Sequence, residues 1–237
     1  MVMRLLPLLA LVLAGLLAWH FSARRLARQL TAQSRPLHEP GLAPVLARLR
    51  EALGVASLPV FVYQVAPVNG LAAPDGRVFL TEGFMGLYRA GKVSAEELAA
   101  VIAHELGHVA LGHARQRMID QAGQNLLGVA LAGVLGRFIP FVGPWLAGLV
   151  LTALAARLSQ RDEFAADEFA SALLLKAGIG LGPQISLFER LESLTAPATD
   201  TPADKLRPAP PAWLLSHPAP EARIAAIRAN ARRWGEA

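Results

Sequence analysis

Apolar residues occur along this chain in two kinds of pattern, long unbroken runs and shorter periodic stretches. The unbroken runs cover residues 5–21 and 126–158. The clearest periodic stretch covers residues 98–109, where apolar positions recur at helical spacing behind Ser94 and Glu97, a capping-box pair. The pattern therefore predicts a well-defined helix in the middle of the chain, with a strongly apolar segment before and after it.

Weaker patterns predict a small sheet and a closing helix. Residues 74–76 read Pro-Asp-Gly, which favours a turn, and residues 77–81 after it have the composition of a short strand. Residues 60–65 are its expected partner strand. We expect one face of the last helix to dock on the core through Ile224, Ile227, Ala231 and Trp234. Together the patterns predict a mainly α-helical domain with a small β-sheet, an α+β class.

The first apolar run, residues 5–21, is predicted to be an N-terminal membrane-anchoring helix, although about 15–17 apolar residues is short for a membrane span. A secretory signal peptide is the alternative, but no small-x-small cleavage site follows the run. Arginines follow it at positions 24, 25, 28 and 35. We therefore expect an uncleaved anchor in the cytoplasmic membrane, and the positive-inside rule favours the cytoplasmic side for the rest of the chain.

The second apolar run, residues 126–158, has the composition of a helical hairpin. Its predicted tip contains Arg137, Pro140, Gly143 and Pro144. Arms of about 11 and 13 residues reach roughly 16–20 Å, less than the ~30 Å of a bilayer core. The favoured interpretation is a hairpin that packs on the domain or dips into one leaflet, and two tilted spanning helices are the alternative.

Composition and charge limit the classes of protein that fit. The chain is 54% hydrophobic and only 17% charged, which indicates membrane contact. The net charge of +5 comes without an aromatic-plus-basic nucleic-acid module, so we expect a lipid membrane as a partner and no nucleic acid. We divide the chain into an anchor at residues 1–21, a basic linker at 22–40 and one domain at 41–237.

Candidate chemistry lies in VIAHELGHVALGHARQ, residues 101–116. Side chains four residues apart share a helix face, so His104 and His108 can hold one metal ion, and Glu105 can reach a water on that metal. His113 is nine residues from His104, roughly 180° around a continuing helix. We therefore expect His113 to point away from the metal and to serve as a polar or outer-shell residue.

A zinc site also needs a third protein ligand. The acidic candidates in SQRDEFAADEFASALL, residues 159–174, are Asp162, Glu163, Asp167 and Glu168. Glu163 and Asp167 share one helix face with small alanines, which would let that face approach another helix closely. From spacing alone, a solvated acidic face remains an equally good interpretation.

Three segments, AHELGHVALGH, SQRDEFAADEFA and SHPAPEARI, together resemble metallopeptidase family forty-eight, the family of HtpX and the CAAX prenyl endopeptidases. The family pattern is His-Glu-x-x-His, a distant Glu-x-x-x-Asp, and a late His-Pro followed by an arginine. The resemblance runs from about Val60 to Ile227. It implies a zincin-like fold and a membrane-associated zinc metalloendopeptidase that cleaves an extended segment of a membrane or misfolded protein.

The resemblance also implies roles for individual residues. His104, His108 and Glu163 would bind one zinc ion per chain, with Glu105 as general base. Asp167 would hold the ring N–H of a ligating histidine, the usual outer-shell arrangement.

Three further roles follow from the same family pattern. His217 and Arg223 would act in catalysis as oxyanion donors without binding the metal, because the fourth position must stay open for water. The strand at Asn69 and Gly70 would lie along the peptide substrate, although the family favours Asn-Ala where this chain has Asn-Gly.

The rival interpretation is a non-proteolytic membrane chaperone or adaptor in which zinc only stabilises the fold. The intact Glu105 argues against it, since a structural zinc site needs no base. Prenyl-protein processing is disfavoured because those enzymes carry many more membrane spans than this chain can supply.

Overall fold

The computed structural model describes residues 24–25, 28–73, 75–113, 137, 143–194, 211–217 and 220–235. These residues form a mainly helical structure with one small four-stranded mixed sheet, in agreement with the expected α+β class. The strands are β1 (Ser34–Pro36), β2 (Val60–Tyr63), β3 (Gly70–Ala72) and β4 (Val78–Thr81). The helices are α1 (Ala43–Leu53), α2 (Glu82–Arg89), α3 (Ala95–Ala110), α4 (Gly143–Lys176), α5 (Gly182–Ser193), α6 (Ala212–Ser216) and α7 (Pro220–Arg233).

The sheet has the strand order β1-β2-β4-β3. Strand β4 pairs in parallel with β2 and antiparallel with β3, and β1 pairs antiparallel with β2. A turn joins β3 to β4, closed by the Gly76 N–H donating to the Ala73 carbonyl at 2.9 Å. The predicted neighbours 60–65 and 77–81 are therefore confirmed as adjacent strands. Strand β1 lies within the predicted linker 22–40, so part of that segment belongs to the sheet.

Helix α3 is the central element of the core. The predicted capping box is present: the Ser94 N–H donates to Glu97 Oε2 at 2.7 Å, and the Glu97 N–H donates to Ser94 Oγ at 3.1 Å. The helix is buried on every side from Glu97 to Gly107, rather than along one apolar stripe. It contacts β3, β4, α1, α4 and α5. Polar side chains on α3 are therefore held away from bulk solvent by the elements around it.

The contact between α3 and α4 is unusually close, because small residues face each other there. A Cβ atom at Gly107 would lie 2.9 Å from the carbonyl oxygen of Ala166 and 3.3 Å from its Cβ. Ala166 and Ala170 are fully buried at this contact. The expected role of the alanines in close helix packing is confirmed. The approach brings the acidic face of α4 against the histidines of α3.

The closing helix α7 docks on the core through Ile224 and Ile227, which are buried, and Ala231, which packs against the core, whereas Trp234 is half-buried and lies beyond the end of the helix. The predicted anchor at residues 5–21 lies outside the described residues, as do residues 195–210 and most of the first arm of the predicted hairpin 126–158. The second arm of the hairpin is the first half of α4, where Trp145 and Leu149 are exposed at 64% and 48%. Within the described ranges, no helix combines the length and the hydropathy that a membrane crossing requires.

Candidate active site

Two histidines of α3 and one glutamate of α4 meet at the contact between these helices. The Nε2 atoms of His104 and His108 are 3.1 Å apart. Glu163 Oε2 lies 3.4 Å from His104 Nε2, and Glu163 Oε1 lies 3.5 Å from His108 Nε2. Among the described residues, these three and His217 form a group whose ligand atoms all lie within 4.8 Å of one another.

The spacing of these atoms fits a zinc ion. Ligand atoms about 2.0–2.1 Å from a tetrahedral ion are about 3.3–3.4 Å from each other. The three separations between His104, His108 and Glu163 run from 3.1 to 3.5 Å. Two imidazole nitrogens and one carboxylate are also the donor types that zinc accepts. The geometry therefore suits a tetrahedral ion with three protein ligands.

Asp167 holds the outer side of the His104 ring. The His104 Nδ1–H donates to Asp167 Oδ1 at 3.0 Å, and both side chains are buried. Burial alone would raise the pKa of Asp167, but hydrogen bonds from Arg223 and His104 outweigh it and hold the pKa well below its usual range. The ionised carboxylate fixes the proton of His104 on Nδ1, which leaves the lone pair of Nε2 directed at the cluster.

Arg223 lies behind this pair. Its Nε donates to Asp167 Oδ2 at 2.6 Å and its Nη2 to Asp167 Oδ1 at 2.7 Å, a bidentate ion pair. Its Nη1 donates to the His217 carbonyl oxygen at 3.1 Å and lies 3.4 Å from Glu163 Oε2. The guanidinium is only 1% exposed and packs against the ring of Phe188. Arg223 was expected to act as an oxyanion donor, but its donors point at the residues that surround the cluster.

Burial opposes ionisation of Glu163 as well. The neighbouring His104 ring and the charge of Arg223 outweigh that burial and lower the pKa of Glu163 to about 2. Glu163 is therefore an anion, the form in which a carboxylate binds a cation.

Glu105 lies beside the cluster and is 3% exposed. Burial raises the pKa of Glu105 above its usual range, since desolvation disfavours the carboxylate form. The indole Nε1–H of Trp213 donates to Glu105 Oε1 at 3.3 Å. Trp213 is itself held in place, because its backbone N–H donates to the Val68 carbonyl at 2.9 Å. This tryptophan was not among the predicted site residues, and its one signal in the sequence is its helical spacing to His217.

His217 ends the short helix α6 and reaches the cluster from the side of Glu105. Its Nδ1–H donates to the Trp213 carbonyl at 3.1 Å, and its Nε2 is 3.7 Å from Glu105 Oε1 and 3.9 Å from Glu163 Oε2. Burial and the neighbouring charge of His104 lower the pKa of His217 to about 4. At neutral pH the ring is therefore uncharged, and the Nε2 lone pair faces the cluster.

Strand β3 forms an outer edge of the sheet, next to the general-base candidate. A Cβ atom at Gly70 would lie 2.8 Å from Val101 Cγ1 and 3.4 Å from Glu105 Oε1. The Asn69 side chain accepts a hydrogen bond from the Gly70 N–H at 3.0 Å, and the Asn69 N–H donates to Thr81 Oγ1 at 2.9 Å. The Asn-Gly pair therefore lies at the site, and glycine in place of the family's alanine lets the strand approach Val101 and Glu105 closely.

His113 does not point away as expected, because the helix that would carry it away stops earlier. Helix α3 ends at Ala110, and Gly112 adopts φ 68°, the left-handed region that glycine enters without a Cβ clash. The reversed chain brings His113 Nδ1 to 2.8 Å from His108 Nδ1. The glycine two residues after the helix end was a usable sequence signal for this turn.

Comparisons with known proteins agree with this geometry. The model of Peptidase family M48 matches residues 36–231. The chain is similar to Metalloprotease LoiP of Escherichia coli strain K12, with 33% identity over 56% of this chain and 51% of LoiP. Metalloprotease YcaL of the same organism is 31% identical over 69% of this chain and 64% of YcaL. Protease HtpX of Pseudomonas paraeruginosa is 28% identical over 92% of this chain and 84% of HtpX. The aligned part of the chain thus spans about half the length of LoiP and under two thirds of YcaL.

Proposed function

The chain belongs to peptidase family M48, and from that premise we propose that it is a membrane-associated zinc metalloendopeptidase. His104, His108 and Glu163 bind one zinc ion in this proposal, and Glu105 is the general base. The observation that carries it is the 3.1–3.5 Å spacing of the two histidine Nε2 atoms and the Glu163 carboxylate oxygens, beside a buried glutamate.

The chemistry that zinc supplies when bound is Lewis acidity, which promotes loss of a proton from water and polarises a peptide carbonyl. Glu105 takes the proton of the attacking water and delivers it to the leaving amine. The raised pKa of Glu105 suits both transfers, because a carboxyl that is too acidic would not keep the proton until the amine leaves. Trp213 holds Glu105 Oε1, which leaves Oε2 for the water.

Asp167 and Arg223 act together in the proposal as a unit that positions His104. The carboxylate orients the imidazole, and the bidentate guanidinium balances the charge of a carboxylate that is almost completely buried. Arg223 acts on the reaction through Asp167 and Glu163 rather than by touching the substrate.

His217 is proposed to stabilise the oxyanion that forms on the substrate, and not to bind the metal. Its Nε2 faces the side of the cluster that the three ligands leave for water. Donation to an oxyanion requires that the ring gain a second proton, on Nε2, since Nδ1–H is committed to the Trp213 carbonyl, and the negative charge of the oxyanion favours that protonation. Zinc analysis of His217→Ala separates the two roles, because loss of a ligand removes metal and loss of an oxyanion donor removes about 10²-fold in kcat with metal retained.

The substrate in this proposal is an extended peptide segment of a membrane or misfolded protein. An extended segment can pair with strand β3, which lies at the outer edge of the sheet and passes directly above Glu105. Asn69 and Gly70 would then contact the substrate backbone. The absence of a side chain at Gly70 lets the strand, and a substrate paired with it, lie close to Glu105.

Membrane association is proposed to come from residues 1–21 as an uncleaved anchor, followed by a linker at 22–40 and the peptidase domain at 41–237. The low charged fraction supports it, as do the exposed Trp145 and Leu149 at the start of α4. Membrane fractionation with intact-mass measurement tests it. We expect residues 5–21 to be present on protein in the membrane fraction, and a chain that begins near residue 23 would indicate a signal peptide instead.

The decisive experiment on the enzymatic proposal is Glu105→Gln, assayed for zinc content and casein hydrolysis. The variant should keep about one zinc per chain and lose nearly all hydrolysis, because it loses a base and no ligand. Glu96→Gln, in the first turn of the same helix, is the matched control and should be active. Casein hydrolysis by Glu105→Gln at the wild-type rate would overturn the mechanism. A wild-type protein that holds zinc without cleaving casein would favour the structural role of the metal.

A further inference from the structure

His113 contacts the outer edge of one proposed ligand. Its Nδ1 lies 2.8 Å from Nδ1 of His108, and the two ring planes are inclined at 70°. The contact is made on the side of the His108 ring opposite to Nε2, the atom that faces His104. His113 is only 7% exposed and does not belong to the group of four potential ligands found among the described residues. It therefore reaches the site through its contact with His108.

The protons on the two rings can be assigned from this geometry. A histidine that binds a cation through Nε2 must carry its proton on Nδ1. His108 Nδ1–H then donates, and His113 Nδ1 can only accept. A neutral His113 consequently carries its own proton on Nε2, which lies 4.0 Å from Asp162 Oδ1. The hydrogen bonds are therefore directed from His108 through His113 toward Asp162. The 4.0 Å between His113 Nε2 and Asp162 Oδ1 is a distance at which a water can bridge the two groups.

We propose that His113 is a positioning residue, which fixes the tautomer and the ring orientation of His108 by accepting its Nδ1–H. This inference rests on the proposed function, since it requires that His108 binds the metal. His113 would thus support His108 in the way that Asp167 supports His104. Removal of an outer-shell acceptor of this kind typically weakens metal binding about 10–100-fold. It replaces the expectation from helix geometry that His113 points away from the metal.

The test compares two substitutions at position 113 in the purified full chain. His113→Asn keeps an acceptor oxygen close to the position of Nδ1, whereas His113→Leu has a similar size and no acceptor. Zinc affinity is measured by competition with a chromogenic chelator. We expect His113→Leu to bind zinc about 10–100-fold more weakly and His113→Asn to bind close to the wild-type value. His38→Leu, a substitution of an exposed histidine, controls for the loss of an imidazole and should bind normally.

The absorption spectrum of the Co²⁺-substituted protein provides a second readout, because visible cobalt bands report the geometry of the ligands and not the activity. The bands should change in His113→Leu and return to the wild-type pattern in His113→Asn. Circular dichroism of the metal-free variants should be unchanged. This separates a positioning effect from a loss of fold.

Three outcomes would overturn the proposal. These are wild-type zinc affinity in His113→Leu, an equal loss in His113→Asn and His113→Leu, or complete loss of metal from both. The last would make His113 a ligand. A wild-type chain that binds no zinc would instead refute the proposed function, and the inference with it.

Discussion

The two histidines of α3 differ in what stands behind them. His104 is backed by an ionised carboxylate that is itself clamped by a buried arginine, and every member of that set is at most 3% exposed. His108 is backed by His113. The Nε2 atom of His113 lies 4.0 Å from Oδ1 of Asp162, whose side chain is 16% exposed. Two ligands on consecutive turns of one helix are thus held by a buried, charged support on one side and a more accessible support on the other. The difference implies that fold stability depends on the His104 side, whereas the His108 side affects mainly metal affinity.

The largest effect is expected from Asp167→Ala, which removes the support of His104. The substitution leaves Arg223 buried without its carboxylate, a change that typically costs about 3–5 kcal/mol. Urea denaturation of the metal-free protein should show this loss. Glu168→Ala is the control, because the partner Arg233 is exposed and such pairs contribute at most about 1 kcal/mol. Equal stability losses in the two variants would contradict the assignment of Asp167 and Arg223 as a buried structural pair.

An intermediate effect is expected from Gly107→Ala, which should push apart α3, the helix of the two histidines, and α4, the helix of Glu163 and Asp167. The new methyl group would meet the Ala166 carbonyl at 2.9 Å, and overpacking of this kind costs about 1–3 kcal/mol. Zinc affinity should fall as well, since Glu163 and its neighbours move with α4. Gly86→Ala is the control: nothing lies within 4 Å of its Cβ position, so alanine should stabilise that helix by about 0.5–1 kcal/mol. Unchanged zinc affinity in Gly107→Ala would mean that the ligand spacing does not depend on this contact.

Trp213→Phe tests whether Glu105 can be disturbed without disturbing the proposed zinc ligands. The ring that packs edge-on against His104 is retained, and the N–H that holds Glu105 is lost. We expect kcat for peptide hydrolysis to fall about tenfold, the scale of one hydrogen bond to a charged group, with zinc affinity and KM nearly unchanged. Trp234→Phe, at a half-buried tryptophan just beyond the end of α7, should have normal kinetics. A rise in KM without a change in kcat would place Trp213 in substrate binding instead.

The smallest effect is expected from Asp162→Asn on the His108 side. The carboxylate lies 4.0 Å from His113 and is partly exposed, so its charge should change zinc affinity by less than about tenfold. Stability of the metal-free protein should not change measurably. Chelator competition and urea denaturation of this variant, next to those of Asp167→Ala, compare the two supports directly. A stability loss as large as that of Asp167→Ala would remove the distinction between them.

The features that were predictable from sequence are those that depend on local spacing. The capping box at Ser94, the pairing of β4 with β2 and the docked face of α7 all follow from periodicity and turn chemistry. The juxtaposition of His104 and His108 follows in the same way from the helical repeat.

The features that sequence did not predict depend on where the chain turns or on contacts between distant segments. The position of His113 depends on whether α3 continues past Ala110, and a single left-handed glycine decides it. The direction of Arg223 depends on Asp167, a residue of another helix. Trp213 reaches Glu105 across 108 positions of sequence, a separation at which periodicity carries no information.

The same separations have a consequence for when the site can form during folding. The contacts that complete it join residues 63, 108 and 119 positions apart, and contacts of such range are among the slowest to be established. A nascent chain that has emerged as far as the two histidines of α3 has neither Glu163 nor the arginine that balances Asp167. Synthesis must pass residue 223 before the charges of the cluster are compensated. Hydrolytic competence is therefore tied to completion of the tertiary topology, so an unfinished chain has no assembled site with which to cut itself or its neighbours.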